Sequence, residues 1–243
     1  MQLADLHCHP TNTHPKEALL DVFSRGITSL TRIRADSWIY TYDQAKKLPG
    51  VEEIDQGLFA KVTYKDAIGY IVHAQEIMSD HHILALGCQE PIKDFKDARE
   101  AIDAIHDLGG LAILPHPFIT VTGLPFAKYR YINNKELEKV KELCGMVDEV
   151  EVFNAHLINL FPVIAWMKEA NDLAKALVRR LPFKGIAASD AHTLLEQVGC
   201  SGILLNDEIK DLKSLFSAIR RGDFERVEKP ISCASFIKGM NLW

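Results

Sequence analysis

Leu3-Ala4-Asp5-Leu6-His7-Cys8-His9 decides the reading of this chain. A short apolar run ends in two histidines two positions apart. An extended backbone turns alternate side chains to opposite faces, so His7 and His9 point one way and Cys8 the other. Gly185-Ile186-Ala187-Ala188-Ser189-Asp190-Ala191-His192 repeats the pattern near the other end, with Asp190 and His192 in the same spacing.

Three more segments carry the same signal. Glu76 falls at the end of a predicted strand over 70–77. His81 and His82 open the next, over 82–87. His116 follows an apolar run at 111–114. Separate strands thus deliver imidazoles and carboxylates, mostly at their C-terminal ends, which is the active-site face of α/β barrels and open α/β sheets. Such a set suits zinc, manganese or iron and needs no thiolate. Without a cation, a buried cluster of this kind is costly.

The intervening sequence fits this layout. Predicted strands run over 2–6, 27–31, 70–77, 82–87, 111–114, 147–153, 185–188 and 202–205. Most are short and continuously apolar, as parallel strands covered on both faces are. Helices are predicted over 16–25, 95–108, 135–144, 157–179 (interrupted near Pro162) and about 209–219, from apolar spacing of three and four with glycine or proline at their ends. Strand–helix alternation of this kind indicates βα units around a parallel sheet. No repeat, linker or low-complexity tract divides the 243 residues, and one domain over 1–243 is expected.

Bulk properties exclude several function classes. The net charge is −5, and Lys and Arg are scattered rather than striped. That argues against long nucleic acid as the main partner. Residues 108–127 hold no Lys, Arg, Asp or Glu, but three prolines and three glycines break them. They read as a buried strand and a long loop, not a membrane span. The five cysteines form no Cys-x-x-Cys pair. An odd count, with no cationic start before an apolar run, leads us to expect reduced thiols and a cytoplasmic protein. Oligomeric state is silent in the sequence.

Other polar residues have plainer readings. His106 sits mid-helix and reads as structural. His73 faces away from Glu76 if its strand alternates. Cys8 reads as packing. His14 and His156 lie near the cluster in sequence but outside a tight motif. Glu151 and Asn154 end the strand over 147–153 and are placed to line the pocket, and Glu151 equally to support a ligand.

At this point the motifs resemble those of the PHP family, named for polymerase and histidinol phosphatase. The likeness rests on Asp5-Leu6-His7-Cys8-His9, Gln75-Glu76-Ile77 with His82-Ile83-Leu84-Ala85-Leu86-Gly87, Gly110 through Pro117 with His116, Val150-Glu151-Val152-Phe153-Asn154, and Ser189-Asp190-Ala191-His192. It implies a distorted seven-stranded (β/α) barrel, TIM-barrel-like, with two or three divalent metals, usually manganese, zinc or iron. It implies phosphoester hydrolysis on a small phosphorylated metabolite or nucleotide. By motif it assigns metal binding to His7, His9, Glu76, His82, His116, Asp190 and His192. His116 or His192 is then the candidate general acid.

One motif departs from the family. Where the family usually reads Thr-Asp-His, this chain reads Thr31-Arg32-Ile33. Isoleucine cannot ligate a metal, which puts the third position in doubt. His14 or Asp36 is a possible substitute donor. Arg32 has two readings: a guanidinium standing in for a cation or gripping a substrate phosphate, or an ordinary salt-bridged arginine. Residues 37–65, rich in aromatic and charged side chains, are expected as a cap over the site, and the loop 118–131 as a second cover. Two rival functions remain at this stage. One is C–N bond hydrolysis of the amidohydrolase type, which usually needs a carboxylated lysine not visible at a strand end here. The other is a non-catalytic metal- or ligand-binding module.

Overall fold

The computed structural model describes residues 1–33, 38–121, 127–129, 134–158, 167–192 and 194–240. In chain order the strands are β1 (Gln2–Asp5), β2 (Ile27–Ile33), β3 (Val51–Asp55), β4 (Phe59–Tyr64), β5 (Ala67–Ile77), β6 (Ile83–Leu86), β7 (Leu111–Leu114), β8 (Ile119–Val121), β9 (Ala127–Tyr129), β10 (Glu149–Asn154), β11 (Ile186–Ala188), β12 (Gly202–Leu205) and β13 (Phe224–Val227). The helices are α1 (Lys16–Phe23), α2 (Tyr42–Ala45), α3 (Ala98–Asp107), α4 (Asn134–Cys144), α5 (Met167–Val178), α6 (Leu212–Arg221) and α7 (Cys233–Met240).

The main sheet runs β11-β10-β7-β6-β5-β2-β1-β12-β13, with β4 and then β3 added beside β5. It nearly closes on itself. Just beyond β1, Cys8 bridges Ala191 in parallel. Asp190 N–H donates to the His7 carbonyl at 2.8 Å, and His9 N–H donates to the Ala191 carbonyl at 2.6 Å. These bonds join the two ends of the run β1-β2-β5-β6-β7-β10-β11. The result is the expected mixed α/β barrel, distorted and built on those seven strands.

The distortion has a visible cause. β1 spends one edge on two partners: its first residues pair β12, and the chain just past it pairs the segment after β11. β5 does likewise, pairing β4 along 67–72 and β6 along 74–77. The expected all-parallel sheet needs correction here. β6 runs antiparallel to both β5 and β7, while β1-β2, β2-β5, β7-β10 and β10-β11 are parallel. Only five residues separate β5 from β6, too few for a parallel crossover.

The apolar strands divide their side chains between two cores. Leu84, Leu86, Leu111 and Ile113 share one cluster with Ala4, Val72, Ile186 and the buried face of α6. Ile83, Ala85, Ala112 and Leu114 face a second cluster with α3, α4 and α5. Burial on both faces is why these strands read as unbroken apolar runs. The helices start and stop as their sequences dictate. The Asp97 carboxylate accepts from Arg99 N–H at the start of α3. At α6, Asp211 and Ser214 form a capping box, and Gly222 ends the helix at φ 64°.

Of the expected cap over 37–65, residues 38–65 are described. β3 and β4 form a hairpin that extends the sheet along the first half of β5, away from Glu76. Trp38 to Tyr40 approach the motif end of β1, where Ile39 bridges Thr11 antiparallel. Of the second expected cover, β8 and β9 form a hairpin, and 122–126 and 130–131 lie outside the described residues, as does Pro162.

Candidate metal centre

His7 and His9 stand just past β1 on one side of an extended run, their rings 5.1 Å apart and both fully buried. Glu76 is the penultimate residue of β5. Because β6 is antiparallel, its beginning lies beside the end of β5. His82 therefore reaches Glu76, with Nδ1 2.6 Å from Oε1. His116 follows β7 and sets Nε2 3.4 Å from the same oxygen. Asp190 follows β11, with Oδ1 3.3 Å from His7 Nε2 and 3.6 Å from His9 Nε2. Glu76 Oε2 lies 3.4 Å from His9 Nε2 and 3.9 Å from His7 Nε2.

The structure thus gathers all seven residues singled out in the sequence. Their donor atoms form four overlapping groups: His7, His9 and Glu76; His7, His116 and Asp190; His9, Asp190 and His192; Glu76, His82 and His116. Within each group the atoms lie within 4.8 Å of one another. Glu76 and Asp190 each belong to two groups, the position of a bridging carboxylate.

A second layer of polar groups fixes how the histidines face. His9 Nδ1 lies 2.7 Å from the Thr31 carbonyl, and His192 Nδ1 lies 2.7 Å from the Asp190 carbonyl. A carbonyl only accepts, so each Nδ1 carries the proton and each Nε2 presents a lone pair. His7 Nδ1 lies 3.0 Å from Glu151 Oε1. The other oxygen of Glu151 accepts from His116 N–H at 2.7 Å and from Asn154 Nδ2 at 3.2 Å. Asn154 Nδ2 also donates to Asp190 Oδ2 at 3.0 Å. Glu151 and Asn154 therefore hold three of the donors, His7, His116 and Asp190, a supporting role that the sequence suggested for Glu151 alone.

Two buried atoms are left without a hydrogen-bond partner at the centre, His7 Nε2 and His9 Nε2. Buried polar atoms are rarely orphaned. Here they face Glu76 and Asp190, so a divalent cation fits the gap between imidazole lone pairs and carboxylates. The electrostatics agree. Burial opposes the charge on Glu76, yet His82, His116 and His7 hold its carboxyl well below the usual range. Burial likewise opposes the charge on Asp190, and His7 and His192 hold it low. Burial and the neighbouring His192 push His9 down to about 3, which keeps its imidazole neutral and ready to ligate. His7 moves the other way: burial resists its charge, but Asp190 and Glu151 raise it well above the usual value. The carboxylates draw positive charge to this spot.

The backbone is bent to reach the arrangement. Among the described residues only Lys65, His116 and Asp190 adopt positive φ without being glycine. Two of the three are in the cluster, with φ 26° and 53°, a conformation kept only where surrounding contacts enforce it.

The departing motif is resolved as well. β2 and β5 pair in parallel with Ile33 beside Glu76 and Arg32 beside Gln75. Neighbouring parallel strands turn matched residues to the same face. Ile33 therefore shares the face of Glu76, and Arg32 shares that of His73 and Gln75. The Arg32 charge is felt at His73, and its Nε is buried without a hydrogen-bond partner. Asp36 lies outside the described residues.

Of the remaining histidines, His156 packs its ring against His192 with centroids 5.7 Å apart, and the others lie in other surroundings. His73 stacks on Tyr42 and sets Nδ1 3.0 Å from the Gly57 carbonyl. His81 faces Asp80 and Glu136, each at 4.0 Å. His106 meets Asp148 at 3.1 Å. His14 and His156 belong to none of the four groups. Cys8 donates to the Ser29 carbonyl, and burial pushes its thiol far up, as packing requires. The sequence reading missed Asp5. Its buried carboxylate accepts from Ser189 N–H, Ser189 Oγ and Gly199 N–H, tying β1 to the segment that carries Asp190. Its place two residues before His7 was the available signal.

Comparison with known proteins agrees with this geometry. Residues 168–224, which include Asp190 and His192, match the family model described as PHP-associated. The fold matches a lesion-specific endonuclease from Pyrococcus furiosus, at 16% identity and a TM-score of 0.55 over 93% of this chain. It also matches a two-domain protein containing a predicted PHP-like metal-dependent phosphoesterase from Bacteroides vulgatus, at 16% identity and a TM-score of 0.56 over 99% of this chain.

Residues 168–224 thus resemble the PHP-associated model, and the two solved structures share this chain's fold.

The chain spans 57% of the endonuclease and 69% of the two-domain protein, so both carry further chain. No curated protein matches this sequence. Among the described residues no helix is long and apolar enough to cross a membrane.

Proposed function

We propose that this protein is a metal-dependent hydrolase of phosphoesters, with a small phosphorylated metabolite or nucleotide as substrate. The observation that carries the reading is the pair of orphaned atoms His7 Nε2 and His9 Nε2, facing Glu76 and Asp190 in a buried centre. His7, His9, Glu76, His82, His116, Asp190 and His192 would hold manganese, zinc or iron, two ions being the number four overlapping donor groups support most simply. Bound there, a divalent metal lowers the pKa of water toward ~7 and offsets charge developing on phosphoryl oxygens.

The chain's own residues do the rest. Glu151 and Asn154 hold the His7 ring, the His116 backbone and the Asp190 carboxylate before substrate arrives, so little reorganisation accompanies reaction. His192 is one-quarter exposed at the rim, whereas His116 is buried. That favours His192 as the histidine that meets substrate; when its Nε2 carries a proton in place of metal, it delivers that proton to the leaving oxygen.

The sequence places no Lys at the strand ends that carry these donors, which speaks for this reading over C–N hydrolysis of the carboxylated-lysine type. The net charge of −5 speaks against a long nucleic-acid track, while the structural likeness to a lesion-specific endonuclease keeps nucleic acid among candidate substrates. A screen of phosphomonoesters, cyclic and linear phosphodiesters and short oligonucleotides, run with added manganese, zinc or iron, tests the proposal. Turnover that disappears in His7→Ala/His9→Ala is expected. Metal bound with no turnover on any phosphoester would contradict it and favour a binding module.

A further inference from the structure

Trp38 occupies a position that the metal centre does not explain. Its indole stacks on the imidazole of His192, with centroids 6.4 Å apart and planes 24° apart. The backbone holds it there. Asn12 N–H donates to the Trp38 carbonyl at 2.9 Å, and Tyr40 N–H donates to the Pro10 carbonyl at 2.6 Å. Thr11 bridges Ile39 between them. Residues 10–12 directly continue the segment that carries His7 and His9. The indole is therefore tied to the cluster by a two-stranded pairing. It is half-buried, at the same rim where His192 is one-quarter exposed.

We infer that Trp38 is a specificity-determining wall of the substrate pocket, and that it selects substrates with a planar aromatic group beside the phosphate. The inference rests on the phosphoesterase reading above. His192 is more exposed than Asp190 or His82, so a phosphoryl group bound to metal held by these residues leaves its ester substituent on the His192 side. Of the three described rings packed against His192, those of His9, His156 and Trp38, the indole is the largest. An aromatic substituent gains there from stacking, over and above the area it covers, by an amount that corresponds to about two- to ten-fold in affinity. An aliphatic group of similar size gains only the covered area.

The test uses two phosphonates, whose C–P bond is not a phosphoester. Phenylphosphonate and cyclohexylphosphonate are titrated calorimetrically into the manganese-loaded full chain, its Trp38→Leu variant and its Trp38→Phe variant. The expected result is a preference of about two- to ten-fold for the phenyl compound in the native chain. Trp38→Leu abolishes that preference while leaving cyclohexylphosphonate affinity within about two-fold, which also shows that the variant is folded. Trp38→Phe restores it. Equal affinities in the native chain, or a preference that survives Trp38→Leu, overturn the inference and leave the phosphoesterase reading standing. Binding of neither phosphonate removes both.

Discussion

Ile33 lies beside Glu76 in the parallel register of β2 and β5, so an apolar side chain shares the face of the carboxylate shared by two donor groups. The strand geometry needed for another donor is present at that point, and the donor is not. Ile33→His should add a ligand without moving the strand. Metal bound per chain, measured by plasma mass spectrometry, is expected to rise by about one equivalent, or the weakest site to tighten several-fold. An unchanged binding isotherm would mean that this face does not reach the metals.

Glu151 touches His7, the backbone of His116 and Asn154 at once. Loss of such a supporting contact typically weakens metal affinity by about 10- to 100-fold. Glu151→Ala is expected to fall in that range in a chelator competition titration, and Glu151→Gln to fall less. Affinity within two-fold of native in Glu151→Ala would show that the rings are held by other means.

Arg32 pairs with Gln75, on the face opposite Glu76. Arg32→Ala should therefore leave KM for a phosphorylated substrate within about two-fold. A strong rise in KM would return the guanidinium to the substrate site, through a side-chain position other than the one observed.

Glu149 gives a pH signature independent of the metals. Burial pushes its carboxyl from the usual 4.5 up to about 7, with Val150 and Gly185 N–H donors offsetting part of the effect. The folded state then binds more protons than the unfolded state between about pH 4.5 and pH 7, so stability falls as pH rises through that window. Urea unfolding at pH 5 and pH 8 should show native protein losing on the order of 2–3 kcal/mol more than Glu149→Gln across the interval. Identical losses would refute the shift.

Much of this was legible in the sequence, for identifiable reasons. Ile83-Leu84-Ala85-Leu86 and Leu111-Ala112-Ile113-Leu114 are buried on both faces, and such strands declare themselves as apolar runs. The seven cluster residues fall at strand ends, and four of them, His7 with His9 and Asp190 with His192, are spaced by two, which extended geometry turns to one side. What was missed lacked those signals. β3, Val51-Glu52-Glu53-Ile54-Asp55, and β13, Phe224-Glu225-Arg226-Val227, are half-exposed and charged, so no apolar run marks them. The direction of β6 follows from the five-residue link after β5, a count that apolar patterning does not weigh. The place of Arg32 depended on register between two strands distant in sequence, which pairing alone reveals. The pairing of Trp38 with residues 10–12 leaves no local trace.

The central claim is that His7, His9, Glu76 and Asp190 enclose divalent metal. Metal content per chain, measured by plasma mass spectrometry on protein purified without chelator and compared with His7→Ala/His9→Ala, tests it most directly. The account predicts about two equivalents of manganese, zinc or iron, largely lost in the double variant. No bound metal in the native chain, even after reconstitution with each of the three, would contradict it.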